Sequence, residues 1–331
     1  MINGIINVYK EKGFTSHDVV AKLRGIAGQK KIGHTGTLDP DAEGVLPVCL
    51  GKATKLCDML TEKDKTYEAV LLLGKTTDTQ DISGTVLEEK DTSLLTVEKI
   101  EECIRSYIGG YEQIPPMYSA LKVNGRKLYE LAREGKEVER KARKVQIYDI
   151  RIKKIEIPRV TMEVDCSKGT YIRTLCHDIG RDLHTGACME ELLRTKVSCF
   201  SLKDSLRLGE IEKLKTEGRL MEIVRPVDQM FSEYPALVVD KEHAPLSYNG
   251  NPLQACFLRE RPEAAPQSGQ PDSGNKTHTL GSACRKEAFR DQAGIRVYDE
   301  DGRFIGIYRY HGKRKEYKLE KMFLDQEELR G

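Results

Sequence analysis

The chain has 331 residues and a formal net charge of +2, from 54 lysines and arginines against 52 aspartates and glutamates. This length is sufficient for one large core plus a smaller domain. Charged residues make up 32% of the chain and hydrophobic residues 39%, a composition that suits a soluble cytosolic protein. So small a net charge excludes nucleic-acid binding through overall charge, and only a local cluster of basic residues could serve that purpose.

The chain start, MINGIINVYKEKGF, lacks the apolar stretch and cleavage site of a signal peptide, and no apolar run reaches the length of a membrane span. Nine cysteines are present without any C-x-x-C pair. The nearest set of candidate metal ligands is Cys176, His177, His184 and Cys188, whose spacings more often reflect helix packing. We therefore expect a cytoplasmic protein with reduced thiols and no metal.

The first predicted helix follows the opening strand. Thr15 or Ser16 can cap it, its apolar positions from Val19 to Ala27 fall on one face, and Gly28 ends it.

The next segment, KKIGHTGTLDPDAEGVLPVCLGKATK at residues 30–55, is a glycine-rich turn that a helix cannot cross at Asp39-Pro40. A P-loop is excluded because six residues, not four, separate Gly44 from Gly51, and a dinucleotide fingerprint is excluded because its third glycine is missing. On this segment alone, a structural turn in which Asp39 bonds its own backbone is the favoured interpretation.

The middle of the chain mixes strands and helices. TYEAVLLLG predicts a buried strand, TTDTQDISG a polar loop, and Thr96 the cap of a helix that stops at Gly109-Gly110. Pro115-Pro116 then prevents a helix from starting. KVQIYDIRI and RVTMEVDCS follow as strands, and a helix is expected from Ile172 to Leu183. Because no regular βαβ rhythm appears, the sequence predicts an α+β fold with a mixed, largely antiparallel central sheet.

The last third predicts a small β domain, residues 236–331, beyond a boundary at RPVDQMFSEYPAL. It contains short strands and an Asp301-Gly302 hairpin signal. A stretch rich in Pro, Gly, Ser and charge, about 258–294, is expected to be a flexible insertion in this domain.

Four motifs in order resemble the TruB family of tRNA pseudouridine synthases, from about residue 3 to about residue 230. GHTGTLDPDAEGVLPVCLGKATK is similar to the aspartate motif of the family, DKTYEAVLLLGKTTDTQDISG to its tyrosine motif, and VDCSKGTYIRTLCHDIG to its arginine motif. IPPMYSALKVNGRKLYELAREG resembles its RNA-gripping insertion. The resemblance implies a pseudouridine-synthase domain over 1–230, which includes an RNA-gripping segment at about 112–145, and a PUA-like, RNA-binding C-terminal domain.

The activity implied is isomerisation of uridine 55 in the tRNA T loop, with the base flipped out of the loop. The reaction cleaves the glycosidic bond, turns the uracil and rejoins it through carbon, so neither cofactor nor metal is expected. Asp39 is implied as the ionised carboxylate, and attack on the ribose, addition to the ring and action as a base are all compatible with the sequence. Arg173 is implied as the cation that holds Asp39 ionised.

Further site residues come from the same resemblance. Tyr67 would stack on the base and take part in proton transfer, and Tyr171 would lie near it. Leu192 would form the apolar floor of the pocket, although Leu193 competes for that assignment. His34 would support the flipped loop.

Basic residues are implied as phosphate ligands. Lys10 and Lys52 lie in matching segments, although the KPxG of the family reads KEKG here, with Glu11 at the proline position. A local basic cluster within the RNA-gripping segment predicts a phosphate-binding stripe, and it comprises Arg133, Lys136, Arg140, Lys141, Arg143 and Lys144.

The expected partner is therefore the T stem-loop of tRNA, and we expect a monomer that needs no membrane, guide RNA or protein partner. Two alternatives remain open at this point. A non-catalytic RNA-binding protein would bind without forming product. A nucleoside hydrolase would use Asp39 with Asp41 and Glu43 as paired acids.

Overall fold

The structure is a computed structural model that describes residues 1–261, 294–325 and 329. The α-helices in these residues are α1 (Ser16–Ala27), α2 (Cys57–Thr61), α3 (Val97–Ser106), α4 (Leu128–Arg133), α5 (Ile172–Asp182), α6 (Leu208–Thr216) and α7 (Ala244–Tyr248). The strands up to residue 201 are β1 (Gly4–Lys10), β2 (Ile32–His34), β3 (Glu43–Leu50), β4 (Lys65–Leu73), β5 (Lys75–Thr77), β6 (Val86–Glu89), β7 (Gly109–Gln113), β8 (Lys122–Val123), β9 (Arg126–Lys127), β10 (Arg143–Glu156), β11 (Arg159–Cys166), β12 (Ala187–Val197) and β13 (Phe200–Ser201). The later strands are β14 (Ala236–Val239), β15 (Leu253–Gln254), β16 (Leu258–Glu260), β17 (Ile295–Tyr298), β18 (Phe304–His311) and β19 (Glu316–Met322).

Helix α1 shows how local signals set an element. Thr15 is its N-cap: the Thr15 hydroxyl accepts the Asp18 N–H at 3.1 Å, and the Asp18 carboxylate accepts the Thr15 N–H at 2.8 Å. This capping box satisfies two backbone donors that a helix start leaves free. Gly28 ends the helix with φ of 68°, a left-handed conformation that glycine adopts readily. The predicted helix is confirmed.

The large sheet has the strand order β1-β3-β12-β4-β11-β10-β7, with β2 beside β3 and β13 beside β12. Within it, β12 and β3 pair in parallel, and the other pairs are antiparallel. The predicted mixed, largely antiparallel sheet is therefore confirmed. Helices α3 and α5 cover the half of the sheet that contains β4, whereas α1 and α6 cover the half that contains β1.

The predicted stop of α3 differs in detail. The helix ends at Ser106, and Gly109 and Gly110 open β7, which pairs with the first residues of β10. The chain between β7 and β10 holds Pro115-Pro116, the short β8–β9 hairpin and α4. As predicted, no helix starts at the prolines. This stretch coincides with the RNA-gripping segment.

A second sheet, ordered β15-β19-β18-β17-β14-β16, begins at Ala236. The Asp301-Gly302 turn joins β17 to β18, as predicted. Val227 and Phe231 pack with Ile307 and Phe323, so an apolar cluster connects this sheet to the rest of the chain.

The prediction of a flexible insertion at 258–294 is wrong for its first residues. Leu258–Glu260 instead form β16, which pairs with β14 and becomes the edge strand of the second sheet. The remainder of that predicted insertion, 262–293, lies outside the described residues. No helix in the described part of the chain combines the length and apolar character that crossing a membrane requires.

Candidate active site

Asp39 lies in the loop between β2 and β3, and both of its neighbours are anchored. Leu38 is buried in the core, and its N–H donates to the Ser16 hydroxyl at 2.9 Å. The Pro40 carbonyl accepts the Gly13 N–H at 2.9 Å and the Lys10 ammonium at 3.0 Å. The loop is therefore an ordered turn that fixes the position of the Asp39 carboxylate.

A glycine at the start of β3 permits this arrangement. Gly44 has φ of 105°, and a Cβ at this position would collide with the backbone carbonyl of Arg194. Gly44 and Arg194 are partners where β3 and β12 pair in parallel. The glycine thus allows the strand that leaves the Asp39 loop to approach β12 closely.

Arg173, in the first turn of α5, binds Asp39 through two nitrogens. Its Nε lies 3.2 Å from Asp39 Oδ2, and its Nη2 donates to Asp39 Oδ1 at 3.3 Å. A paired approach of this kind uses the planar guanidinium to fix both carboxylate oxygens. The Arg173–Asp39 pair implied by the resemblance is therefore present, as a bidentate contact. The backbone-bonded turn favoured on the loop alone is not what orients the Asp39 side chain.

The same guanidinium is held from other directions. Arg173 Nη1 lies 3.1 Å from Asp81 Oδ2, and Nη2 donates to the Tyr118 carbonyl at 2.8 Å. Tyr118 belongs to the RNA-gripping segment, and Asp81 belongs to the polar loop between β5 and β6. Three parts of the chain therefore converge on one buried arginine.

The charge on Asp39 reflects two opposed effects. Burial raises the pKa of Asp39 above its ordinary value, and the Arg173 guanidinium acts in the opposite direction. The neighbouring Asp81 carboxylate raises that pKa further. The Asp39 side chain is still 41% exposed, so it is accessible to a ligand.

Asp39 and Arg173 line a cavity of about 330 Å³, a size within the range of small-ligand sites. Tyr67, Tyr171 and Leu192 line it as well. Five residues implied by the resemblance, from Asp39 to Leu192 in the chain, thus lie around one cavity. Leu192 lines the cavity and Leu193 is not among the lining residues, which favours Leu192 for the predicted apolar floor.

Tyr67 is buried on β4, directly opposite Arg194 in the pairing of β4 with β12. Burial raises the pKa of the Tyr67 hydroxyl, and the Arg194 guanidinium beside it opposes this rise. Tyr171 precedes α5, and its backbone N–H and carbonyl bond the side chain of Gln113 at 2.8 and 3.0 Å. Gln113 ends β7, so the start of the RNA-gripping segment is tied to the start of α5.

His34 lies beside the Asp39 loop and outside the cavity lining. Its Nδ1 accepts the Gly36 N–H at 3.4 Å, and its ring packs edge-on against His17 with centroids 5.3 Å apart. Burial and the neighbouring His17 lower the pKa of His34, which favours the neutral imidazole. Support of a flipped RNA loop by His34 stays a prediction.

Lys10 does not have the position expected of a phosphate ligand. Its ammonium is fully buried and donates to the carbonyl oxygens of Phe14 at 2.6 Å, Pro40 at 3.0 Å and Glu11 at 3.1 Å. All three of its hydrogens are used in this way, so the expected role is corrected: Lys10 holds the Asp39 loop. The cause is the fold of residues 10–14, which brings two of these carbonyls around the ammonium, while the Asp39 loop supplies the third from Pro40.

Lys52 also lies away from the cavity lining. Its Nζ is 3.5 Å from Asp325 Oδ1, and its backbone N–H donates to Asn3 Oδ1 at 2.7 Å. Lys52 therefore joins the large sheet to the segment after β19. A phosphate contact by Lys52 stays a prediction.

Three residues of the site were not identified from the sequence: Asp81, Lys65 and Arg194. Asp81 lies in a stretch that its composition marks only as a polar loop. Lys65 lies on β4 and Arg194 on β12, and both line the cavity. A basic residue on the buried face of a strand is unusual, and this could have indicated both residues from the sequence. In the described part of the chain, no three His, Cys, Asp or Glu side chains are grouped so that they could hold a metal ion.

The predicted basic cluster lies on and after α4. Arg140 is partly buried and donates to the Pro115 carbonyl at 3.2 Å, so it braces the RNA-gripping segment. The other members are exposed, namely Arg133, Lys136, Lys141, Arg143 and Lys144.

Sequence comparison identifies relatives over the whole chain. The TruB family pseudouridylate synthase (N terminal domain) profile matches residues 24–172, and the tRNA pseudouridylate synthase B C-terminal domain profile matches residues 173–232. The tRNA pseudouridine synthase B of Lachnoclostridium phytofermentans is 51% identical, covering 98% of this chain and 100% of the relative. That of Clostridium kluyveri is 49% identical with the same coverage.

Solved structures share the fold. A chain of a Cbf5-Nop10-Gar1 complex is similar with a TM-score of 0.66 and 24% identity, covering 98% of this chain and 86% of that one. A chain of an H/ACA RNP bound to a substrate RNA containing 2'-deoxyuridine has a TM-score of 0.65 and 23% identity, with the same coverage. The predicted pseudouridine-synthase fold is confirmed. With two profile matches in sequence and relatives about half identical along the whole chain, this protein belongs to the TruB family of tRNA pseudouridine synthases.

Proposed function

We propose that this enzyme converts uridine 55 in the T loop of tRNA to pseudouridine, through base flipping and an Asp39-dependent rearrangement without a cofactor. The observation that carries the proposal is the Asp39–Arg173 pair on the wall of a cavity that Tyr67, Tyr171 and Leu192 also line. Two aromatic rings and one aliphatic side chain around a carboxylate suit a flat pyrimidine that must lie beside a charged group.

Access to that carboxylate requires an extruded base. A cavity of this size accepts a nucleotide, not a duplex, so the uridine has to leave the T loop before it reaches Asp39. The exposed basic residues of the RNA-gripping segment are suited to hold the phosphates of the loop and stem meanwhile. His34 would support the loop next to the emptied position.

The chemistry is an isomerisation within one nucleotide. The bond from C1' of the ribose to N1 of uracil breaks, a bond from C1' to C5 forms, and the C5 proton is replaced in the product by a proton on N1. Asp39 supplies the carboxylate and Arg173 opposes its protonation. Tyr67 would stack on the base and exchange a proton with it.

The expected partner is tRNA alone. Relatives that carry the name tRNA pseudouridine synthase B match over their full length, which supports a single chain acting on tRNA without a guide RNA or protein partner. We further propose that the protein acts as a monomer in the cytoplasm. The second sheet, from residue 236 onward, would add a PUA-like RNA-binding surface to the catalytic unit.

The two alternatives are less well supported. A nucleoside hydrolase would need Asp41 or Glu43 beside Asp39, but neither is among the residues that line the cavity. A non-catalytic RNA-binding protein would have no use for a bidentate ion pair kept at the wall of that cavity.

The test is pseudouridine formation on tRNA, with the modified position located by mass spectrometry. Asp39→Asn should abolish product while tRNA affinity changes little, because the amide cannot act as a carboxylate. Asp41→Asn is the matched control: it is exposed, two residues further on, and should retain activity. Product from the Asp39 variant, or modification only at uridines other than 55, would contradict the proposal.

A further inference from the structure

Two buried cations line the same cavity without a carboxylate partner in the described part of the chain. Lys65 is 8% exposed and Arg194 is 1% exposed. Lys65 Nζ donates to the carbonyl oxygens of Thr61 at 2.7 Å and Lys63 at 2.5 Å. Arg194 Nε donates to the Val45 carbonyl at 2.8 Å. Arg194 also has a hydrogen bond with the Tyr67 side chain, so the partners of both cations are neutral groups.

This arrangement is unusual, because buried charges in proteins are normally paired with an opposite charge. The two cations are also close enough to repel each other, since Arg194 lowers the pKa of Lys65. On the Arg173 side of the cavity, by contrast, the cation is matched by two carboxylates, Asp39 and Asp81. The cavity therefore has one side on which carboxylates outnumber the cation and one side with uncompensated positive charge.

The uncompensated side surrounds Tyr67. Lys65 lies two residues before Tyr67 on the same face of β4, and Arg194 lies opposite Tyr67 on β12. A base stacked on Tyr67 would have both cations near its edges. Positive charge at this place stabilises negative charge that develops on the base itself.

We propose that Lys65 and Arg194 form a binding site for the uracil anion that is released when the glycosidic bond breaks, an inference that rests on the proposed function. The electron pair of the C1'–N1 bond leaves with N1, and its charge is shared with O2 and O4 of the ring. The electron deficiency at C1' is then relieved either by a bond from an Asp39 oxygen or by loss of the C2' proton, which leaves a C1'–C2' double bond. When C5 of the same anion bonds to C1', the C1'–O bond to Asp39 breaks with its electron pair returning to the carboxylate, or, on the other route, the proton returns to C2'. The anionic charge of the ring is thereby consumed, the C5 proton is released and N1 gains one.

The charge on Lys65 can be tested directly, because it is lost in an accessible pH range. Burial, followed by the charge of Arg194 on β12, lowers the pKa of Lys65 to about 8. Cys166 on β11 and Asp64 next in the chain also face it and act in the opposite direction. Below about pH 8 Lys65 is therefore an ammonium, and above it the cavity loses one positive charge.

The experiment is single-turnover pseudouridine formation on a T-loop RNA, measured with the full chain on both sides of about pH 8. The wild-type rate should fall as pH rises through about 8. Lys65→Arg keeps its charge at all these pH values, so its alkaline fall should be absent while its neutral rate stays within about tenfold. Lys65→Met should lose about a hundredfold at neutral pH with unchanged RNA affinity.

Two controls separate the causes. Lys63→Met removes an exposed neighbouring lysine and should change neither rate nor pH profile. Burial also lowers the pKa of Lys10 to about 8, so Lys10 is a second possible source of an alkaline fall. A fall that persists in Lys65→Arg would not come from Lys65 and would overturn the proposal. If circular dichroism shows that Lys65→Met is unfolded, the Lys65→Arg profile decides by itself.

The outcomes distinguish the two proposals. A wild-type chain that makes no pseudouridine defeats the proposed function. A wild-type chain that is active but has no alkaline fall, or a folded Lys65→Met variant within threefold of wild type, defeats only the anion site.

Discussion

Asp81 holds Arg173 from the side opposite Asp39: Asp81 Oδ2 lies 3.1 Å from Arg173 Nη1. The guanidinium is therefore clamped between two carboxylates, and its orientation toward Asp39 depends on both. Because the Tyr118 carbonyl also accepts a bond from Arg173, the RNA-gripping segment contacts the same group. The position of Arg173 is thus set by three segments that are distant in sequence.

Replacing Arg173 by lysine should lower kcat by about a hundredfold or more, because a single ammonium cannot reproduce the fork that meets Asp39, Asp81 and the Tyr118 carbonyl. Single-turnover rates on T-loop RNA measure this. Arg181→Lys is the matched control, since Arg181 lies in the last turn of the same helix with a 61% exposed side chain. Equal losses in the two variants would contradict a specific role for Arg173.

The rate should fall at acid pH as Asp39 takes up a proton. Its pKa is raised above the ordinary value by burial, so the fall occurs at higher pH than for an exposed aspartate. The negative charge of Asp81 contributes to that rise. Asp81→Asn should therefore move the acid limb of the pH–rate profile to lower pH, while the maximal rate drops because Arg173 loses an anchor. A limb displaced to higher pH would contradict this assignment.

Gly44→Ala should destabilise the protein by more than about 3 kcal/mol, because the new Cβ meets backbone on β12 and the residue has positive φ. Gly109→Ala is the control: its φ of 118° is also positive, but its Cβ would enter open space. That variant should lose only about 1 kcal/mol. Urea unfolding gives the free energy of unfolding of both variants. Similar losses would show that backbone strain, and not the collision of the new Cβ with β12, causes the destabilisation.

Glu11 forms an ion pair with Arg207 at 2.8 Å, at the position where the family motif has proline. Since both side chains are partly exposed, the pair should contribute about 0.5 kcal/mol in a double-mutant cycle of Glu11→Ala and Arg207→Ala. Glu11→Pro in the Arg207→Ala background should raise the free energy of unfolding by about 0.5 kcal/mol, because proline restricts the unfolded chain. Urea unfolding gives each value, and strictly additive losses would show that the pair contributes nothing.

Local elements were predictable because their signals lie within a few residues of each other. The Thr15 cap, the Gly28 stop and the alternation in β11 depend only on neighbouring backbone groups and on which face is buried. The boundaries that were missed, at Gly109-Gly110 and Leu258, lie where pairing with another strand extends the sheet. Such pairing is a long-range contact that local propensity does not report.

The sequence by itself, through motif resemblance, determined the family and the fold class, and it predicted a common site for Asp39, Tyr67, Tyr171, Arg173 and Leu192. Only the tertiary structure showed that Asp81 binds Arg173 together with Asp39, and that the Lys10 ammonium donates its hydrogen bonds to backbone carbonyl groups. It also showed that Lys65 and Arg194 are buried without a carboxylate partner in the described residues. The physical reason is that a charged side chain acquires its role from the groups that surround it after folding. Arg173 and Asp39, which bind each other, are 134 positions apart in the chain.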